Sequence, residues 1–227
     1  MSAGRNAGPA ARIRGLYGIL DPSVVIREGD DPEILLDRAL AEALAGGCLL
    51  IQYRDKVAYP RLFLSRATRL GAACRAAGAL FLVNDRLDVA LLSGADGCHL
   101  GQDDLPIPAA RRVVPKAFLL GASTHSVPEA RRAQEEGADY IGVGAIFRTM
   151  SKGDALEPRG AKLVAEVAGA VRIPAVAISG ITRGNVREVI RAGAAAFAVI
   201  SDLFTGPGVR ERTEEYLRIW EEETARP

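Results

Sequence analysis

What most limits the folds open to this chain is an alternation. A short apolar run is followed by a longer Ala/Leu/Arg/Glu stretch with apolar residues at helical spacing, and the pair recurs eight times. The pattern predicts strands near Gly15–Leu20, Cys48–Tyr53, Leu80–Val83, Gly97–Leu100, Phe118–Ala122, Tyr140–Val143, Ala175–Ile178 and Ala196–Ile200. It predicts helices near Pro32–Ala45, Pro60–Ala77, Arg86–Ser93, Pro108–Val114, Val127–Glu136, Ala161–Ala168, Asn185–Ala192 and Val209–Glu223. Several helices carry proline in their first turn, as at Asp31-Pro32 and Val127-Pro128, and several close on glycine, as at Gly46, Gly94 and Gly193. The strands read as continuously apolar, which is expected of parallel strands covered on both faces. Residues 14–227 are therefore expected to form one α/β domain, a single (β/α)8 TIM barrel, with an open doubly wound sheet as the alternative. Residues 1–13 carry Arg5 and Arg12 with no apolar run behind them, and read as a flexible tail rather than a signal peptide.

Composition removes several function classes. The chain has 29 basic and 28 acidic residues, a net charge of +1, so a nucleic-acid surface with its basic excess is not expected. Cys48, Cys74 and Cys98 are odd in number and widely spaced, so they suggest buried thiols in a reducing compartment rather than a zinc site or a disulfide framework. No uncharged apolar run reaches the ~18 residues that span a bilayer. A soluble cytoplasmic protein without a membrane partner is expected. The absence of a GxGxxG motif leaves a dinucleotide site unsupported.

In a TIM barrel the chemistry lies at the C-terminal ends of the strands. Gln52-Tyr53-Arg54-Asp55-Lys56 follows the second strand, Asn84-Asp85-Arg86 the third, Gly101-Gln102-Asp103-Asp104 the fourth, and Ser123-Thr124-His125 the fifth. Gly144 to Lys152 follows the sixth, Ser179-Gly180-Ile181 the seventh and Ser201 the eighth. Arg54 and Lys56 are two apart, so on an extended segment they share a face and suit a diphosphate, with Gln52 beside them; the alternative is a solvated loop paired with Asp55. Asp85 and Asp104 could hold Mg2+, act as an acid/base pair, or cap helices, and Asp103 competes for the ligand role. Residues 179–184 and Ser201 occupy the usual phosphate position of such barrels, against the alternative of an ordinary glycine turn. Residues 144–152 could close over phosphates or form a plain surface loop. His99, inside a strand, reads as a satisfied core residue; His125 reads as a substrate-orienting or helix-capping group. From the residues alone the chain is a barrel enzyme acting on two phosphate groups, metal-assisted and without a redox signature.

Taken together the motifs resemble the thiamine phosphate synthase family. They are Gln52-x-Arg54-x-Lys56, Asn84-Asp85-Arg86-x-Asp88, Ala95-Asp96-Gly97-x-His99-Leu100-Gly101-Gln102-x-Asp104, Ala138-Asp139-Tyr140-Ile141-Gly142-Val143-Gly144 and Thr149-x-Ser151-Lys152. The likeness runs in order from about Gly15 to Ser201. It implies joining of a pyrimidine diphosphate to a thiazole phosphate, or its carboxylated form, with release of pyrophosphate by a dissociative, Mg2+-assisted route. It implies that Gln52, Arg54, Lys56 and Asn84 bind the diphosphate and that Asp85 and Asp104 hold Mg2+. Ser123 would lie by the pyrimidine. Thr149, Ser151 and Lys152 would contact phosphates as their loop closes, with Arg54, Lys56 and Lys152 as the catalytic cations. Gly180, Ile200 and Ser201 would bind the thiazole phosphate. The implied partners are small-molecule phosphates, and a homo-oligomer is left open.

Departures from the family pattern are Ser179 in place of glycine, Ala145 and Arg148 in place of prolines, and Ser151 in place of threonine. Ser179 is expected at an ordinary negative φ, because a left-handed serine carries a penalty of about 1–2 kcal/mol; on that expectation Ser179→Gly would not raise stability. A thiazole tautomerase-like barrel would not need the diphosphate clamp, and a non-catalytic sensor would bind a phosphate ligand without turnover.

Overall fold

The computed structural model describes residues 9–26, 29, 31–148 and 157–225. Eight parallel strands pair in chain order: β1 (Gly15–Leu20), β2 (Leu50–Tyr53), β3 (Leu80–Asn84), β4 (Gly97–Leu100), β5 (Leu119–Thr124), β6 (Tyr140–Val143), β7 (Ala175–Ala177) and β8 (Ala196–Val199). β8 pairs back onto β1, from Gly15↔Ala196 to Gly18↔Val199, so the sheet is the expected closed barrel and not the open alternative. Between β1 and β2 lie α1 (Pro22–Val25) and α2 (Pro32–Ala45), and α3 (Pro60–Ala76) precedes β3. Then α4 (Leu87–Ser93), α5 (Ile107–Arg111), α6 (Val127–Glu135), α7 (Gly160–Ala168) and α8 (Val186–Arg191) follow β3 to β7 in turn. α9 (Ser201–Phe204) and α10 (Val209–Thr224) follow β8. The two four-residue helices α1 and α9 carry too little periodicity to be read from sequence.

Local chemistry sets the boundaries. Asp31 caps α2 by accepting from Glu33 and Ile34 N–H at 2.8 and 3.3 Å, with Pro32 at the first helical position. The Ala-Asp pairs ahead of β4 and β6 act as clips: Asp96 accepts from Phe81 N–H at 2.8 Å and Asp139 from Leu120 N–H at 2.8 Å. Each clip ties an entering strand to its predecessor and so fixes the register in which the barrel closes.

Apolar side chains form two cores. The larger lies between strands and helices; Phe197, for example, meets Tyr216 and Trp220 of α10 at ring distances of 5.6 and 6.0 Å. The smaller fills the barrel and includes Tyr17, Leu50, Leu80, Leu82, Leu119, Tyr140 and Val176. Its floor corrects the expected tail. Pro9–Arg12 form a 3-10 turn, Arg12 donates to the Gly78 carbonyl at 2.6 Å, and Ile13 is buried among the interior residues. Residues 9–13 therefore pack onto the barrel, because its open lower end offers apolar surface that Ala10 and Ile13 cover; residues 1–8 lie outside the described part. No helix among the described residues is long and apolar enough to cross a membrane.

All three thiols are buried and none is in a disulfide. Burial pushes the Cys48 thiol up to about 11 and the Cys74 thiol up to about 12 from an ordinary 9.0. An acid whose folded pKa is raised contributes stability that is intact below its unfolded pKa and is lost as pH climbs toward the folded one, at about 1.4 kcal/mol per unit. Denaturant midpoints should therefore hold up to about pH 9 and fall steadily above it. At pH 8 a disulfide reagent should titrate essentially no thiol in the native protein and all three after unfolding. A rapidly reacting native thiol would contradict the packing.

Candidate active site

The second strand hands the chain to a loop organised by a buried carboxylate. Asp55 accepts from Tyr53 OH at 2.8 Å, from Arg66 Nη1 at 3.1 Å, and from the N–H groups of Val57 and Ala58 at 3.1 and 2.9 Å. Arg66 is braced in turn by Glu33 at 2.8 Å. This turn ends the extended geometry on which the expectation of a shared face rested. Arg54 and Lys56 instead diverge to the strands on either side. Arg54 pairs with Asp21 at the end of β1, and Lys56 with Asp85 at the end of β3. Neither pairs with Asp55, so the alternative of a solvated loop closed on that residue does not hold. Asp21 is a site residue that the sequence reading missed. It is nearly fully buried and also accepts from Ser23 N–H and Oγ at 3.0 and 2.6 Å. Its signal was positional: Asp21-Pro22 follows the first strand as the other polar groups follow theirs.

Asn84 is the last residue of β3 and is buried. Asp85 follows in a left-handed conformation, φ 61°, with its N–H on the His99 carbonyl at 2.8 Å. It does not cap α4; Arg86 occupies that position, with no side-chain cap. Asp104 takes the Gly101 N–H at 2.6 Å and also faces Asp85. Its carboxyl is pushed above the usual range by burial first, and then by the hydrogen bond and charge of Asp85. Asp103 is exposed and does not join the pair. Among the described residues no group of three or more His, Cys, Asp or Glu could hold a metal by itself. Two carboxylates are nevertheless the donor set that suits Mg2+, which takes one or two of them and completes its shell with water and substrate phosphate.

Ser123 lies within β5 rather than after it. Its hydroxyl meets His99 Nε2 at 3.0 Å and its carbonyl accepts from Gln102. His99 Nδ1 meets Tyr140 OH at 3.0 Å, so both ring nitrogens of this buried histidine are engaged, as expected of a satisfied core residue. Gln52 points into the barrel and donates from Nε2 to Tyr17 OH at 2.7 Å. His125 belongs to a capping box: Glu129 accepts from its N–H at 2.8 Å, while Ser126 Oγ accepts from Glu129 N–H at 3.4 Å.

On the other side of the rim, the expectation for Ser179 is overturned: its φ is 76°, followed by Gly180 at 68°. The loop leaving β6 explains the strain, since it docks on this backbone. Ile146 N–H donates to Ile178 O at 3.2 Å and Phe147 N–H to Ser179 O at 3.1 Å. A Cβ on Gly180 would sit 2.5 Å from the Arg148 carbonyl, so this glycine makes room for the neighbouring loop's backbone. Asn185 Nδ2 holds the Gly180 carbonyl at 2.9 Å. Arg183 ties the β7 loop to α9 and α10 through Asp202 and Glu215, both at 3.0 Å. Ile200 caps α9 and Ser201 opens it. Thr149, Ser151 and Lys152 lie outside the described residues.

Comparison with known proteins points to one family. The family model described as thiamine monophosphate synthase matches residues 23–203. A thiamine-phosphate synthase of Methanoculleus marisnigri is 53% identical over 159 residues, 70% of this chain and 75% of its own. One of Shouchella clausii is 45% identical over 183 residues, 81% of this chain and 88% of its own. The solved thiamine phosphate pyrophosphorylase of Pyrococcus furiosus superposes with a TM-score of 0.82 at 36% identity, covering 94% of this chain and 98% of that one.

The positive φ of Ser179 yields a stability test. Ser179→Gly should stabilise the protein by about 1 kcal/mol, because glycine carries no left-handed penalty. Gly180→Ala should destabilise it by more than that, through clash as well as strain. Urea midpoints read both; an unchanged or lower midpoint for Ser179→Gly would mean that the serine bears no such cost.

Proposed function

The chain belongs to the thiamine monophosphate synthase family, and from that premise we propose that it joins a pyrimidine methyl diphosphate to a thiazole phosphate, or its carboxylated form, yielding thiamine phosphate and pyrophosphate. The observation that carries the reading is the Lys56, Asp85 and Asp104 group at the ends of β2, β3 and β4. Cation and paired carboxylates side by side are what a diphosphate leaving group needs, and no protein nucleophile is called for.

The bond from the pyrimidine methylene carbon to the diphosphate oxygen breaks, and its electron pair departs with pyrophosphate. The thiazole nitrogen then supplies the pair that forms the new carbon–nitrogen bond. Catalysis therefore depends on stabilising charge that grows on the leaving oxygens, which preorganised cations do with little reorganisation. Lys56 and Arg54 serve this role, held in place beforehand by Asp85 and Asp21. Asn84 adds a neutral group from the end of β3, and by resemblance Gln52, whose Nε2 also holds Tyr17 OH inside the barrel, adds a second. Asp85 and Asp104 are the ligands we assign to Mg2+, which when bound would neutralise charge on the diphosphate. By resemblance, Thr149, Ser151 and Lys152 complete the phosphate contacts. Gly180, Ile200 and Ser201, at the ends of β7 and β8, take the thiazole phosphate where such barrels bind phosphate on backbone N–H groups. Soluble phosphate reactants fit the cytoplasmic setting we assign.

Purified protein given both phosphates and Mg2+ should release pyrophosphate in equal amount to thiamine phosphate formed. Tautomerisation of the thiazole without pyrophosphate, or binding without product, would replace this reading by one of the two rivals. Lys56→Ala should lower kcat by roughly 10²–10³, the scale of one lost transition-state donor. Asp85→Asn and Asp104→Asn should each raise the Mg2+ concentration needed for half-maximal rate, whereas Asp103→Asn should leave it alone. Equal Mg2+ requirement in all four proteins would end the ligand assignment.

A further inference from the structure

Four side chains cross the barrel in a single hydrogen-bonded line that ends on Ser123. Gln52 Nε2 donates to Tyr17 OH at 2.7 Å, Tyr17 OH meets Tyr140 OH at 3.0 Å, Tyr140 OH meets His99 Nδ1 at 3.0 Å, and His99 Nε2 meets Ser123 Oγ at 3.0 Å. The line joins β2, β1, β6, β4 and β5, and space is cleared for it. A Cβ at Gly121 would overlap the Tyr140 ring, and one at Gly142 would come within 3.2 Å of His99 Cε1. Burial pushes both phenols well above the ordinary tyrosine value, so each keeps its one proton.

One proton per phenol gives the line a direction. Tyr17 OH accepts from Gln52, so its proton goes to Tyr140. Tyr140 OH accepts that proton and gives its own to His99 Nδ1. With Nδ1 an acceptor, the imidazole proton sits on Nε2 and is donated to Ser123 Oγ. In that order Ser123 Oγ accepts from His99 Nε2, which leaves the serine's own O–H to be given to a ligand.

We infer that Tyr140 and His99 are positioning residues that fix Ser123 as a hydrogen-bond donor toward an acceptor atom of the substrate, of the kind an aminopyrimidine ring nitrogen supplies. The inference rests on the proposed reaction for the identity of that ring, but the proton order does not. Were Gln52 to present its oxygen to Tyr17, every donor would reverse, the imidazole proton would move to Nδ1, and Ser123 would give its proton to His99.

Nitrogen-15 NMR of the histidine-labelled protein separates the two orders. The chain has two histidines, and His125→Asn leaves the His99 signals alone in the spectrum. In substrate-free protein His99 should be the Nε2–H tautomer, and in Tyr140→Phe that preference should be lost. Tyr17→Phe should keep it, because Tyr140 can still donate to Nδ1. With substrate, Tyr140→Phe should raise KM for the pyrimidine diphosphate roughly five- to tenfold, the scale of one hydrogen bond. KM for the thiazole phosphate should stay within about twofold, and Tyr17→Phe should show a smaller effect on either. A merely structural role for these buried rings would make the two phenylalanine variants alike in tautomer and in KM. An Nδ1–H or doubly protonated His99 in the wild type overturns the inference, as does an unchanged pyrimidine KM in Tyr140→Phe. The spectrum needs no turnover, so a wild type that shows the expected tautomer but releases no pyrophosphate strikes down the proposed reaction and not the proton order.

Discussion

Because β8 pairs back onto β1, the eight strands share one interior and end at one rim, and every polar group that follows a strand is delivered to the same place. The strands are only three to six residues long, so register is critical: a slip of one residue would turn Gln52, His99 and Tyr140 out of the barrel and bring their neighbours in. Asp96 and Asp139 guard against that by clipping entering strands to Phe81 and Leu120. The site thus inherits its geometry from sheet closure, and the loops only complete it.

Closure also creates a problem of filling. Phenol, imidazole and amide groups share a space that leucine and valine would fill at less polar cost, and leaving any of them without a partner there is expensive. The chain solves this by linking each to the next and by thinning the wall with Gly121 and Gly142 where the rings need room. Such a line is stable only when complete, so its members constrain one another as strongly as they constrain Ser123.

The alternation of strands and helices was legible because each element buries a face, and burial writes a period into sequence; Gly15–Leu20, Gly97–Leu100, Tyr140–Val143 and Pro32–Ala45 begin and end where the pattern says. Lys56, Asp85 and Asp104 stood out as charged residues in the short segments after β2, β3 and β4, and the fold brings them together, although the sequence left Asp103 open as an alternative to Asp104. What pairs with what was not. That Asp55 turns inward to Arg66 while Arg54 reaches back to Asp21 depends on contacts 11 and 33 residues apart, which no local spacing encodes. Ser179 was misread for a related reason. The demand for positive φ comes from the β6 loop lying on its backbone, a tertiary cause that a local argument from strain could not contain. The path from Gln52 to Ser123 was hidden because its members lie on five strands and meet only in the closed barrel.

The charge at the rim around β1 to β4 gives the reason that a bound diphosphate would not be held by side chains alone. Arg54 and Lys56 bring two positive charges, while Asp21, Asp85 and Asp104 bring three negative ones, so the described group sums to 2 − 3 = −1 with every carboxylate ionised. A diphosphate entering there would meet cations already partnered and two facing carboxylates, of which Asp104 is raised first by burial and then by Asp85. On the proposed function one device would resolve the conflict while leaving the Arg54–Asp21 pair in place. A divalent cation, were Asp85 and Asp104 to hold it, would turn the local sum positive, and metal binding favours the ionised form of its carboxylate ligands. In the proposed reaction the Asp85–Asp104 pair would therefore favour a diphosphate that arrives with a divalent cation over one that arrives without it.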